Sequence, residues 1–111
     1  MKNDQAEQLI GQLQIYNQQL QNIIMQRQTF SLQSREIDKA LEEIEKADDD
    51  IYRSIGPVLI KVPKEKLKKD LAEEKEEVEV KLKAADKQES RLKEKVNEIQ
   101  QKFQETPGEG G

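Results

Sequence analysis

Apolar residues recur along the first part of the chain in alternating steps of four and three: Leu9, Leu13, Tyr16, Leu20, Ile23, Phe30, Ile37, Leu41 and Ile44. Arg27 and Ser34 fill the two positions that this rhythm would otherwise skip. Counted backward from the other end, Phe103, Ile99, Val96, Leu92, Ala85, Leu82, Val78 and Leu71 keep the same beat. The two series mirror each other about Gly56. Leu9 falls opposite Phe103, Leu13 opposite Ile99, Tyr16 opposite Val96, Leu20 opposite Leu92, Arg27 opposite Ala85, Phe30 opposite Leu82, Ser34 opposite Val78 and Leu41 opposite Leu71. A strict 3.5-residue period with facing apolar positions is what an antiparallel two-helix coiled coil requires. The chain is expected to be mostly α, a hairpin of two long helices.

Composition agrees with a slender fold. Only 33% of the 111 residues are apolar and 38% are charged, a mixture poorly suited to enclosing a globular core. A coiled coil must bury only two positions in seven. The chain has no cysteine and no histidine, which excludes disulfides and removes the usual general base and the commonest zinc ligand. The longest apolar runs, Ile23-Ile24-Met25 and Val58-Leu59-Ile60, are three residues long, against about 20 for a bilayer span. The N-terminus is polar and glutamine-rich, so no signal peptide is expected. A net charge of −4 argues against nucleic acid as a partner. The expected place of work is the cytoplasm, with no membrane contact.

Charge is unevenly spread. Residues 1–34 carry four charged groups (Lys2, Asp4, Glu7 and Arg27) and ten glutamines. Glutamine is a good helix former on any solvated face. A weakly charged face would also let the outer first arm meet other proteins without strong charge selectivity.

One domain, residues 1–111, is expected, beginning with a helix over 4–48. Asp4 and Glu7 resemble a capping box at its start. Asp48-Asp49-Asp50 oppose the macrodipole at its end, and they lack the glycine and distal glutamate of an EF-hand loop. Residues 51–62 are β-branched around Gly56-Pro57 and predict a β-hairpin. Pro63 ends the second strand and opens a second helix over 63–105, and the Gly-ending tail 106–111 is disordered by composition. In the hairpin, Val58, Ile60 and Val62 share one face and Leu59 and Lys61 the other. Ile51, Arg53 and Ile55 alternate with Tyr52 and Ser54. Apolar side chains thus occur on both faces of a two-stranded sheet, which alone is marginal in water and has open edges. The hairpin is expected to assemble with other chains, the bland alternative being a plain turn.

A glutamine-rich heptad helix, the stretch Asp48-Asp49-Asp50-Ile51-Tyr52-Arg53-Ser54-Ile55-Gly56-Pro57-Val58-Leu59-Ile60-Lys61-Val62, a charged heptad helix and a Gly-ending tail together resemble the beta-class subunits of prefoldin. The archaeal type comes first and the related eukaryotic subunit six next. The resemblance covers nearly the whole chain and is most specific from Asp50 to Val62, with Tyr52, Gly56 and Leu59-Ile60 at its centre. The single hairpin fits too, since alpha-class subunits carry two. The resemblance implies a hexamer of two alpha-class and four beta-class subunits whose hairpins form a double β-barrel platform, with six coiled coils hanging from it. It implies capture of non-native proteins at the coiled-coil tips without ATP, and delivery to a group II chaperonin. The oligomerisation residues would be Ile51, Tyr52, Ile55, Gly56, Val58, Leu59, Ile60 and Val62.

The termini fit that implication. Leu9 opposite Phe103 and Leu13 opposite Ile99 place both chain ends at one tip. Ile10 lies one position off the seam, where a pure coiled coil prefers a polar group. Helix ends fray most easily, and a frayed tip would offer Leu9, Ile10, Leu13, Val96, Ile99 and Phe103 to a client. Ile10 and Phe103 are expected to touch clients; Leu13, Val96 and Ile99 are expected chiefly to zip the tip closed. In the weaker layers, Arg27 and Glu89 lie one diagonal step apart and are expected to pair and fix the register. Glu74 or Lys75 must face Ile37, and the spacing of Leu67 and Leu71 does not continue the frame of Val78 and Leu82, a slip that loosens supercoiling. Such soft layers would let the arms flex around clients of different size.

The alternative to a client-holding subunit is a scaffolding coiled coil that binds one defined partner. An enzyme is not expected. The carboxylates and lysines lie along solvated faces without a pocket to perturb them, and no glycine-rich phosphate loop or cofactor motif is present.

Overall fold

The computed structural model describes residues 3–104; the tail expected over 106–111 lies outside them. The chain forms an antiparallel two-helix coiled coil in which a β-hairpin joins the helices. The elements are α1 (Asn3–Lys46), β1 (Ile51–Ile55), β2 (Val58–Val62) and α2 (Lys64–Gln104). Asp4 lies inside the first turn of α1, so it favours the helix dipole there instead of capping the helix from outside.

Burial along α1 follows the heptad rhythm without a break. Leu9, Leu13, Tyr16, Leu20, Ile23, Arg27, Phe30, Ser34, Ile37, Leu41 and Ile44 are all half-buried or buried. Along α2 the covered positions are Leu67, Leu71, Glu74, Val78, Leu82, Ala85, Glu89, Leu92, Val96, Ile99 and Phe103. Here two steps of four follow each other, from Glu74 to Val78 to Leu82. Lys75 is half-buried beside Glu74, and Leu67 is buried where the strict frame would bury Lys68. An added step of four relaxes the left-handed supercoil locally.

The ends of the elements have local causes. The amide of Ala47 donates to the carbonyl of Ile44 at 3.1 Å, a tightened last turn of α1. Among the described residues no non-glycine residue has positive φ, so α1 does not end in a left-handed cap. Instead the ammonium of Lys64 donates to the carbonyls of Glu45 at 3.1 Å and Ala47 at 3.3 Å, satisfying acceptors that a helix C-terminus leaves open. The Pro63 carbonyl accepts the first helical bond of α2, from the amide of Leu67 at 3.0 Å. A proline that lacks a donor there sacrifices no hydrogen bond.

β1 and β2 pair antiparallel, with Ile51 opposite Val62, Arg53 opposite Ile60 and Ile55 opposite Val58. Gly56 has φ of 56°. Positive φ at the first central residue followed by proline's fixed negative φ has the signs of a type II′ turn, whose twist suits a two-residue hairpin.

Two compact bodies make up the chain, Thr29–Leu82 and the described parts of Met1–Gln28 with Lys83–Gly111. In the first, Ile44, Leu67 and Leu71 form a buried cluster, packed against Ile37, Ala40, Leu41, Ile51 and Val62. In the second, Ala85 and Ile99 are the buried apolar side chains among the described residues.

Candidate functional site

Two surfaces need an explanation beyond folding. In the Thr29–Leu82 body it is the hairpin. Ile51 and Val62, grouped from sequence with the assembly residues, turn onto the cluster of Ile44, Leu67 and Leu71 and root the sheet in its own subunit. Further along the strands Tyr52, Ile55, Val58, Leu59 and Ile60 remain exposed, Leu59 the most at 69%. In a sheet of two strands, both outer edges present unpaired amides and carbonyls.

Charge pairs link the hairpin to its surroundings. Arg53 Nη2 donates to Glu74 Oε1 at 2.6 Å, linking β1 to the layer of α2 where the seam slips. Lys61 pairs with Asp50 at 3.3 Å. At the foot of α2 the ammonium of Lys68 lies 2.7 Å from Glu45. That hydrogen bond holds the Glu45 carboxyl below its ordinary pKa and raises that of Lys68. Lys75 donates to Asp38, which raises the lysine's pKa. The expected weak layer near Ile37 is therefore filled by polar contacts: Glu74 turns to Arg53 and Lys75 to Asp38.

Ser34, 8% exposed, donates its hydroxyl to Glu79 Oε1 at 2.7 Å, which meets the hydrogen-bonding need of a buried seam hydroxyl. That partner was not legible in the sequence, because Glu79 sits one position off the seam.

In the body around the termini, Arg27 Nε donates to Glu89 Oε1 at 3.0 Å. Asp86 lies 3.9 Å from the same nitrogen and Lys93 reaches the other Glu89 oxygen at 3.7 Å. The Glu89 side chain is only 14% exposed, with one oxygen facing Arg27 and the other Lys93. Of the tip residues, Ile10 is 46% exposed and Ile99 3%, while Leu9, Leu13, Val96 and Phe103 are half-buried. Ile10 thus lies on the surface of this body and Ile99 in its interior.

Among the described residues no group of three His, Cys, Asp or Glu side chains is placed to hold a metal ion. No described helix is long and apolar enough to cross a membrane.

Comparison with known proteins gives this geometry a family. A family model described as "Prefoldin subunit" matches residues 7–109. The prefoldin subunit beta of Pyrococcus furiosus is 44% identical over 102 residues, which span 90% of this chain and 87% of that protein. The prefoldin subunit beta of Methanosarcina acetivorans is 34% identical over 106 residues, 94% of this chain and 91% of the relative. The crystal structure of the prefoldin beta subunit from Thermococcus strain KS-1 superposes with a TM-score of 0.84 at 38% identity, covering 91% of this chain and 90% of that one. The prefoldin beta2 subunit of the same strain shares the fold, with a TM-score of 0.73 at 20% identity over 80% of this chain and 97% of that one. A heptad hairpin with one exposed two-stranded sheet, matched over nearly its whole length, belongs to the prefoldin family of chaperone subunits, in its beta class.

Proposed function

We propose that this chain is one of four beta-class subunits which, with two alpha-class subunits, form a hexamer that holds non-native proteins in the cytoplasm. The hairpins join the subunits into a shared β-barrel platform. The coiled-coil tips capture clients without ATP, and the assembly passes them to a group II chaperonin. The observation that carries this reading is the hairpin patch of Tyr52, Ile55, Val58, Leu59 and Ile60. Five exposed apolar side chains on a sheet with two open edges are a poor ending for a solitary chain, and a good one for strand addition by a neighbour.

At the tip, Ile10 is open to solvent, and fraying would add Leu9, Leu13, Val96, Ile99 and Phe103. Each such side chain, once buried, contributes about 1.5–3 kcal/mol before ordering costs. One tip binds weakly, and several on one assembly hold a client by multivalency.

The test is light scattering of a chemically unfolded client diluted into buffer without ATP. It compares the chain co-assembled with an alpha-class subunit against the same assembly lacking residues 1–10 and 99–111. Suppressed aggregation that trimming abolishes supports tip capture. Suppression that survives trimming moves the site inward along the arms. No suppression by the intact assembly rejects the holding function in favour of a scaffolding coiled coil.

A further inference from the structure

In the body around the termini, the two helices show solvent different chemistry. From Gln8 to Gln26 α1 has no charged side chain over 19 residues, about 28 Å of helix at 1.5 Å per residue. Residues 83–104 of α2 carry ten charged side chains. Among the described residues of this body, the large apolar side chains that are exposed all belong to α1: Ile10, Ile15 at 56% and Met25 at 64%. At about 100° per residue, Ile15 and Met25 point away from the seam of Leu13, Tyr16, Leu20 and Ile23. They share that outward face with the exposed Gln14, Gln18 and Gln21.

Helix formation does not require this arrangement. Glutamine, glutamate and lysine have nearly equal helix propensity, and α2 uses charged residues at its own outward positions. Nor does the seam need it, because Ile15 and Met25 do not contribute to the seam.

We propose that the outward face of α1 between Gln8 and Gln26 is a lateral contact strip for extended segments of non-native polypeptide, continuous with the tip. The proposal rests on the client-holding function above and adds a second surface to it. An extended chain carries peptide N–H and C=O groups that its own fold has not paired, and glutamine amides both donate and accept. Ile15 and Met25 offer separate apolar contacts, and the methionine adapts to side chains of varied shape. They lie about 15 Å apart along the axis, the reach of roughly five extended residues. Without charge, the strip selects neither sign in its client. A single folded partner would be matched by a contiguous apolar centre and complementary charges, and this face has neither.

The experiment uses the chain co-assembled with an alpha-class subunit and a chemically unfolded client. A benzoylphenylalanine photo-crosslinker replaces Gln18 on the strip or, as a control, Glu94 on the outward face of α2. Crosslinking at 18 is expected to exceed that at 94 severalfold, and to fall when the natively folded client is supplied instead. In a second arm, Ile15→Gln with Met25→Gln is expected to weaken capture by about threefold to tenfold, with helicity and assembly mass unchanged. Equal crosslinking at 18 and 94, or undiminished capture by the double variant, overturns the strip while leaving tip capture standing. No capture by the intact assembly overturns both.

Discussion

The Thr29–Leu82 body and the body around the termini are cut from the same two helices, yet they treat apolar surface in opposite ways. The first buries Ile44, Leu67 and Leu71 together and fastens the base of its hairpin with Lys64, Lys68 and Arg53. It then exposes five apolar side chains on the two faces of its sheet, Ile55, Val58 and Ile60 on one and Tyr52 and Leu59 on the other. The second has Ala85 and Ile99 as its buried apolar side chains and exposes Ile10, Ile15 and Met25 singly among glutamines. Apolar side chains on both faces of a sheet with open edges suit a lasting interface. Scattered side chains on a helix suit contacts that form and break.

The contrast is broken most severely at the hairpin. Leu59→Ser with Ile60→Ser removes two exposed apolar side chains from each copy. The expected result is loss of co-assembly with an alpha-class subunit by about a hundredfold or more, seen as subunits instead of complex by native mass spectrometry. Leu71→Ala opens the cluster under the hairpin, and is expected to lower stability by about 2–5 kcal/mol in urea unfolding followed by circular dichroism.

In the other body, Arg27→Ala leaves the largely covered Glu89 carboxylate without its main cation, at an expected cost of about 1–2 kcal/mol by the same measurement. Arg27→Ala with Glu89→Ala should cost less than the sum of the single changes, because neither charge is then left alone.

Gly11→Ala sharpens the comparison in the other sense. Gly11 lies inside α1, where an added Cβ would meet nothing within 4 Å. The change should stabilise the helix by about 0.5–1 kcal/mol and slow amide exchange over residues 5–13. If tip capture depends on fraying, it should also weaken suppression of client aggregation.

The smallest effect concerns pH. The Glu45 carboxyl is held below its ordinary pKa by Lys68, so its stabilising contribution is present above the unfolded value and is lost as pH falls through the folded one. Titration followed by NMR should show the Glu45 pKa rise in Lys68→Gln, with little change in overall stability, because both side chains are solvated.

Much of this was legible in the sequence, for reasons specific to coiled coils. Heptad numbering alone set Arg27 one diagonal step from Glu89, because a 3.5-residue repeat leaves little freedom in which residues face each other. Gly56-Pro57 between β-branched runs located the turn. What the sequence hid were contacts made by long, flexible side chains. Lys64 closing the carbonyls of α1, Arg53 reaching Glu74 and Ser34 finding Glu79 depend on rotamers and on the hairpin's angle, neither of which periodicity encodes. The choice of Leu67 over Lys68 for burial was likewise settled by packing, since a leucine beneath the sheet gains more from burial than a lysine does. The packing of Ile51 and Val62 on their own subunit's cluster was hidden too, because alternation gives the face of a strand and not where along its length the subunit's own core ends.

The division between an assembling hairpin and open tips is tested most directly by amide hydrogen exchange, comparing the free chain with the chain co-assembled with an alpha-class subunit. The account predicts that exchange at Tyr52–Val62 slows strongly on assembly as the sheet edges are paired, while residues 4–13 and 96–104 exchange as fast as before. Unchanged exchange in the hairpin, with protection appearing at the helix ends instead, would contradict it.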